Sequence, residues 1–361
     1  MFKNILLYAF VLQFGLKVVV SASLFNSSVC VDPPGFDSCW NTATADAISL
    51  FKDHCTNGTC TDVDDCFSPD ETCAKAATCV AYAEWISCAL DHCWNRVYNC
   101  EYQHLAIRAM RNCPIADQLP PHIPPPAGAP GTCSCGIGFV FAEHLKMNKP
   151  GVGEVFQCTN TVDSLQAAGT CEPNCANEEK ICQCCADSSA TSTFFNTCPT
   201  TDPGDIFFFA DLGYDHLVSS ECSSSLGASP NCTAKPYNFT LSPGPASNNQ
   251  FFDAATLPKN GTDPLTNNPG GLATPVSGAV FTWSLYEGAV VTANATITTW
   301  TGAGATTLPG NTGTVTSTSA ATGTTSASSS STAKSGGQRN TQISGLAFAG
   351  SSVLALALYF V

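Results

Sequence analysis

The chain has 361 residues, a formal net charge of −14, 22 cysteines and only 14 lysines and arginines. So few basic residues exclude nucleic acid and anionic lipid surfaces as charge-driven partners, because both require clustered positive charge. Cysteine at this density points to disulfides formed in an oxidising compartment rather than to a set of thiols.

Residues 1–22 read as a secretory signal. Lys3 precedes an apolar run over residues 5–20, and Val20-Ser21-Ala22 puts small residues at a cleavage site, so cleavage is expected after Ala22. The run is short for a membrane span, and Lys17 inside it would be costly in lipid.

Residues 23–119 form a helical cysteine-rich unit containing Cys30, Cys39, Cys55, Cys60, Cys66, Cys73, Cys79, Cys88, Cys93, Cys100 and Cys113. A short helix is expected over residues 46–54. Ser68-Pro69-Asp70-Glu71 carries a capping serine, a proline at the first helical position and a glutamate that closes a capping box. From there to Cys113 the chain lacks glycine and is rich in Ala, Leu, Glu and Arg, which predicts two helices breaking near Leu90 and Asp91. Cys93 and Cys100, seven residues apart, would share a helix face.

Residues 120–131 (PPHIPPPAGAPG) are too proline-rich for helix or central strand and read as a hinge. The second cysteine-rich unit, 132–300, holds Cys133, Cys135, Cys158, Cys171, Cys175, Cys182, Cys184, Cys185, Cys198, Cys222 and Cys232. Each unit therefore has 11 cysteines, and complete pairing into 11 bridges requires at least one bridge across the proline-rich segment. The individual pairs are not readable from sequence. Phe139-Val140-Phe141 and Phe207-Phe208-Phe209 read as short buried strands in a loop-rich unit. Residues 233–275 are Asn/Pro/Gly-rich loop, and residues 280–287 and 289–300, joined at Gly288, have the β-branched and aromatic content of a hairpin.

Residues 301–335 are dominated by serine and threonine, a composition that forms no core and reads as a disordered stalk for O-glycans. Residues 336–361 read as a glycosylphosphatidylinositol (GPI) propeptide. Small residues Ser335-Gly336-Gly337, a polar spacer and the apolar stretch 343–361 form the transfer signal, with Ser335 as the expected attachment residue. Six N-glycosylation sequons begin at Asn26, Asn57, Asn231, Asn238, Asn260 and Asn294. The expected fold class is a small disulfide-rich α+β protein: a helical stapled unit, a loop and short-strand cysteine-rich unit, a C-terminal hairpin and the stalk.

No catalytic signature is present: the chain has no G-x-S-x-G elbow, H-E-x-x-H helix or P-loop. The acidic pairs Asp64-Asp65 and Glu178-Glu179 are adjacent in sequence, which does not supply the separation across a cleft that a glycosidase needs. Asp53-His54-Cys55 and Asp91-His92-Cys93 echo each other, and an aspartate beside a histidine can orient an imidazole toward a metal. Helix-end structural histidines are the simpler reading. The Cys-x-Cys and Cys-x-Cys-Cys runs resemble metallothionein spacing, but thiolate sites need reduced cysteine.

The order of signal, cysteine-rich head, Ser/Thr-rich stalk and GPI tail resembles the GPI-anchored wall and surface proteins of filamentous fungi. Residues 60–66 (CTDVDDC) are similar to a stretch of the fungal eight-cysteine CFEM domain, in which the aspartate can ligate haem iron; that resemblance implies Asp62 as a haem ligand. The chain departs from the CFEM pattern in its next cysteine, Cys73, and in having 11 cysteines in this unit. The reading is a non-enzymatic surface or wall protein without cofactor, held on the outer leaflet through GPI lipid or on wall glucan. Its protein or carbohydrate ligand is unspecified. The alternatives are an extracellular haem or metal capture module and a wall-polysaccharide enzyme.

Overall fold

The computed structural model describes residues 25–50, 71–113, 119–169, 175–226, 231–241, 250–275, 280–286, 289–295, 299–302 and 305–306. The expected signal, the helix start at Ser68 and Pro69, the stalk beyond Thr306 and the GPI segment lie outside them.

Three helices build the first layer: α1 (Pro33–Leu50), α2 (Glu71–His92) and α3 (Cys100–Asn112). Helix α1 starts 13 residues before the short helix expected at Asp46. Pro33 and Pro34 sit at its first positions, where a missing N–H costs nothing. Asp32 accepts from the Gly35 amide at 3.1 Å and so supplies the N-terminal cap. Helix α2 runs through Leu90 and ends at His92, and a 3₁₀ turn (Trp94–Arg96) separates it from α3. Cys93 and Cys100 therefore do not share a helix face as expected. They point to different partners: Cys93 bonds Cys30 and Cys100 bonds Cys133. Asn99 caps α3 by accepting from the Tyr102 amide at 2.9 Å.

The α1–α2 seam is aromatic and covalently closed. Trp40 stacks on Trp85 with centroids 4.9 Å apart, and Phe36 continues the column to Phe25. Bridges Cys30–Cys93 and Cys39–Cys88 pin the two ends of that column, and Cys79–Cys113 ties α2 to the end of α3. Burying such rings contributes about 2 to 3 kcal/mol each, and offset stacking adds to this.

The second unit is more helical than its sequence suggests. Helices α4 (Ile137–Met147), α5 (Glu154–Ala167) and α6 (Cys175–Thr197) pack together, followed by the short α7 (Tyr214–Leu217) and α8 (Ser220–Leu226). Phe139-Val140-Phe141 lies within α4 rather than in a strand, and Phe207 to Phe209 form a turn leading into a 3₁₀ segment. A three-residue apolar run fits a buried helix as well as a strand. Here Val140 and Phe141 both face the core, as neighbours on a helix can and neighbours on a half-exposed strand cannot.

Helix α6 carries Cys182, Cys184 and Cys185 within one turn. Successive residues on a helix diverge by about 100°, so the three sulfurs leave in different directions. They reach Cys158 on α5, Cys222 on α8 and Cys232 in the following loop. Cys135–Cys198 joins the start of α4 to the end of α6. Eight bridges thus take sixteen of the 22 cysteines. Cys55, Cys60, Cys66, Cys73, Cys171 and Cys175 fall where side chains are not described.

Strands β2 (Val280–Tyr286) and β3 (Ala289–Asn294) form the expected antiparallel hairpin, with Trp283 opposite Val291 and an irregularity between Ser284 and Tyr286. Phe281 and Trp283 are buried while Thr282 is exposed, the period-two alternation of a half-buried strand. The strand ends at Asn294 rather than near Trp300. Two-residue strands β1 (Gly271–Leu272) and β4 (Ala305–Thr306) pair in parallel.

The proline-rich segment is a packed strap. Cys100–Cys133 bridges it as the odd cysteine counts require, the Cys133 amide donates to Tyr98 O, and Tyr102 Oη donates to Pro121 O at 2.7 Å. Gln103, fully buried, donates to Tyr98 O and accepts from the Gly138 amide at 2.9 Å, joining α3 to α4. His122 projects from the strap into a cage of Tyr98, Tyr102 and Phe281, with centroid distances of 5.3, 6.5 and 5.2 Å.

Two predictions arise from this packing. Replacing Cys100 and Cys133 together by serine reopens a 33-residue separation, for which the chain-entropy cost is about 3 to 4 kcal/mol. Urea unfolding should show that loss, and residues 120–131 should become protease-sensitive; an unchanged midpoint would mean that packing alone holds the strap. Burial also lowers the pKa of His122 and His104 from 6.5 to about 4. Each is held neutral in the fold, so its contribution is complete above the unfolded value and is lost as pH falls from about 6.5 to 4, up to about 3 kcal/mol each. His122→Asn should flatten part of that acid limb in melting scans; an identical pH profile would contradict the assignment.

Candidate functional site

A cleft of about 660 Å³ opens between the C-terminal end of α4, the outer face of α5, the middle of α6 and the loop 231–240. Its shape begins with the turn between α4 and α5. The Gly153 amide donates to Lys149 O at 2.7 Å, and a Cβ on Gly153 would meet Met147 O and the Lys149 backbone. Only glycine lets the chain reverse this tightly, which brings Glu154 at the start of α5 opposite the loop 231–240.

The far wall is fixed by hydrogen bonds. Glu154 accepts from the Thr240 amide at 3.3 Å and from the Thr240 hydroxyl, Ser189 Oγ donates to Thr240 O, and Tyr237 Oη donates to Glu178 at 2.5 Å. Burial first, then the Glu178 carboxylate, pushes the Tyr237 phenol above its ordinary range. Lys146, Lys235, Glu143 and Gln157 give the lining both signs of charge and neutral amide chemistry, beside the aliphatic surfaces of Met147 and Val152. His144, also in the lining, has its pKa lowered by burial, against a smaller opposing pull from Asp211.

A second polar centre lies on α6. His216 Nδ1 is 2.5 Å from Asp187 Oδ2, and Gln183 Nε2 donates to Asp187 Oδ1 at 3.0 Å. Burial raises the Asp187 pKa, and the hydrogen bonds from His216 and Gln183 oppose that rise. Gly213, at φ 76°, allows α7 to begin directly over this carboxylate, because any Cβ there would collide with Asp187. Cys184, His216 and Cys222 lie close enough together to suggest a metal site. The sulfurs are already spent in the Cys184–Cys222 disulfide, with both cysteines fully buried, so the donor set does not fit a thiolate metal centre. No nucleophilic hydroxyl or thiol is hydrogen-bonded to His216 among the described residues.

The candidate residues from sequence are scattered. His92 pairs with Asp32 at 2.8 Å rather than with its neighbour Asp91, which accepts from the Asn294 amide, while Cys93 is bridged; this triplet anchors α2 to α1 and the hairpin. Glu178 bonds Tyr237 and Glu179 is exposed, so that acidic pair spans no cleft. Asn26, Asn231, Asn238, Asn260 and Asn294 are all exposed. Asp53, His54, Asn57, Asp62, Asp64, Asp65 and Ser335 lie outside the described residues. The cleft and the Asp187–His216 pair had no signal in the sequence, since their residues come from segments up to about a hundred residues apart.

Gly213→Ala should be more harmful than Gly128→Ala. Both glycines have positive φ, but a Cβ at Gly128 meets nothing within 4 Å, whereas at Gly213 it displaces Asp187. We expect about 1 kcal/mol for the open position and two to three times that for Gly213, read from urea unfolding midpoints. Equal losses would remove the Asp187 contact from the account. Comparisons with protein-family models, with curated proteins and with solved structures return no match.

Proposed function

We propose that this chain is a non-enzymatic, glycosylated surface or wall protein: a disulfide-stapled head on a Ser/Thr-rich stalk, held by a GPI anchor at Ser335. It serves wall structure, adhesion or shielding. The observation that supports this reading best is the disulfide frame, which needs the oxidising route taken by secreted and surface proteins. The acidic charge, the exposed sequon asparagines and the Ser/Thr composition of residues 301–335 fit the same destination. The fungal wall-protein resemblance rests on this layout. The alternative, an extracellular haem or metal capture module on the same anchor, rests on Asp62 and on the Asp53-His54 and Asp91-His92 pairs.

Full-length protein expressed in a GPI-competent eukaryotic host should reach the cell surface. Phosphatidylinositol-specific phospholipase, or glucanase if the anchor has passed to wall glucan, should release it, and substituting Ser335, Gly336 and Gly337 with bulky residues should abolish release. Protein that both enzymes leave on the cells would refute GPI anchorage. Haemin titration of the ectodomain should give no Soret shift; a shift lost in Asp62→Ala would favour haem capture.

A further inference from the structure

Of the exposed sequon asparagines, Asn238 is set apart by its position: it belongs to the lining of the cleft, and Asn26, Asn231, Asn260 and Asn294 do not. Its orientation is imposed by the loop. Tyr237 and Phe239 on either side are buried, the Phe239 amide donates to Cys232 O at 2.8 Å, and the Asn238 amide donates to Ala234 O at 2.9 Å. Asn238 itself sits at φ 56°, a left-handed conformation that asparagine tolerates better than most residues. Two inward aromatics with a left-handed residue between them turn the Asn238 side chain outward at the rim. Cys185–Cys232 and the Thr240–Glu154 contact then hold the whole loop against α6 and α5.

The cleft suits a sugar. Its volume lies within the range of small-molecule sites and accommodates a disaccharide. Pyranose rings have apolar C–H faces and a polar rim, and the lining offers both kinds of surface, with Met147, Val152 and Leu165 for the faces. The side-chain oxygens of Gln157, Thr161 and Thr193 serve as acceptors for sugar hydroxyl and N-acetyl N–H groups, their own donors being held by Val152 O, Gln157 O and Ser189 O. A sugar tethered at the rim has a far higher effective concentration than any free saccharide. It therefore outcompetes a diffusing ligand of equal contact chemistry.

We propose that the cleft is an internal sugar site, filled by the first N-acetylglucosamine units of a glycan on Asn238 that folds back onto α4 and α5. This rests on the reading of the chain as a secreted glycoprotein and names what one of its glycans does. Asn238 Nδ2 loses one proton and forms a bond to C1 of the first sugar, and the C1–oxygen bond to the pyrophosphate of a lipid-linked oligosaccharide breaks. Transfer precedes folding, because the folded loop commits the Thr240 hydroxyl to Glu154. Once in place, the sugars cover the lining, and the glycan becomes part of the fold.

The test uses the full-length protein from a glycosylating host, released from cells and left oxidised. Peptide mapping gives the occupancy of each sequon, and native peptide-N-glycosidase digestion gives the rate of glycan loss at each. We expect Asn238 to be occupied and to lose its glycan at least tenfold more slowly than the other occupied sites, with the difference abolished by reduction and denaturation. Trimming to a single sugar, or the variant Asn238→Gln, should increase amide hydrogen exchange over residues 143–157 and 235–240, with no such change in Asn260→Gln. An unmodified Asn238 beside other modified sequons would overturn the proposal and leave the surface-protein reading intact. So would loss of its glycan at the common rate with unchanged exchange. No modification at any sequon would sink the glycoprotein reading itself. The digestion rates come from the wild-type chain and do not depend on whether Asn238→Gln folds.

Discussion

One turn of α6 organises the second half of the molecule. Cys182, Cys184 and Cys185 send bridges to α5, to α8 and to the loop that carries Asn238, so three segments with little regular structure between them are fixed to a single axis. Each bridge closes 24 to 47 residues of chain, which removes more conformational freedom from the unfolded state than any local contact could. The cleft, the Asp187–His216 pair and the placement of the 231–240 loop all follow from that turn. Cys100–Cys133 then joins this half to the aromatic first layer.

The same helix explains how so much irregular backbone is tolerated. Ser188, Ser189, Thr191, Ser192, Thr193 and Asn196 are buried polar residues on α6, an arrangement that would be costly without partners. Their partners are backbone groups of the irregular segments: Phe252 for Ser188 and Ser192, Thr240 for Ser189, Leu212 for Thr191 and Gln250 for Asn196; Thr193 turns back to Ser189. Side chains of one helix thus do for the loops what a neighbouring strand does in a sheet, satisfying amides and carbonyls that have no ladder.

That arrangement also marks where sequence reading ran out. The cysteine density, the odd counts on either side of residues 120–131 and the hairpin near Gly288 were legible, because each depends on composition, parity or local periodicity. Helix α6 was not. A run of Ser, Thr, Asn and Cys has no apolar stripe, and its helicity comes from bridges and tertiary hydrogen bonds rather than from propensity. Helix α1 begins well before the helix expected at Asp46, because Asp32 caps it and Pro33 and Pro34 occupy first-turn positions where a missing N–H costs nothing. For the site, Asn238 was visible as a sequon, but its place on the rim depends on the bridge at Cys232 and on Gly153 across the cleft. Sequence-distant residues of ordinary type leave no motif.

A covalent frame with a packed proline-rich strap resists proteases and mechanical load, which is what the proposed wall, adhesion or shielding role would ask of it. The frame itself is the central claim, and peptide mapping of the non-reduced ectodomain tests it most directly. The account predicts linked peptides for Cys100–Cys133, Cys158–Cys182, Cys184–Cys222 and Cys185–Cys232, with no free thiol at those positions. Free thiols at Cys100 and Cys133, or the α6 cysteines joined to other partners, would contradict it.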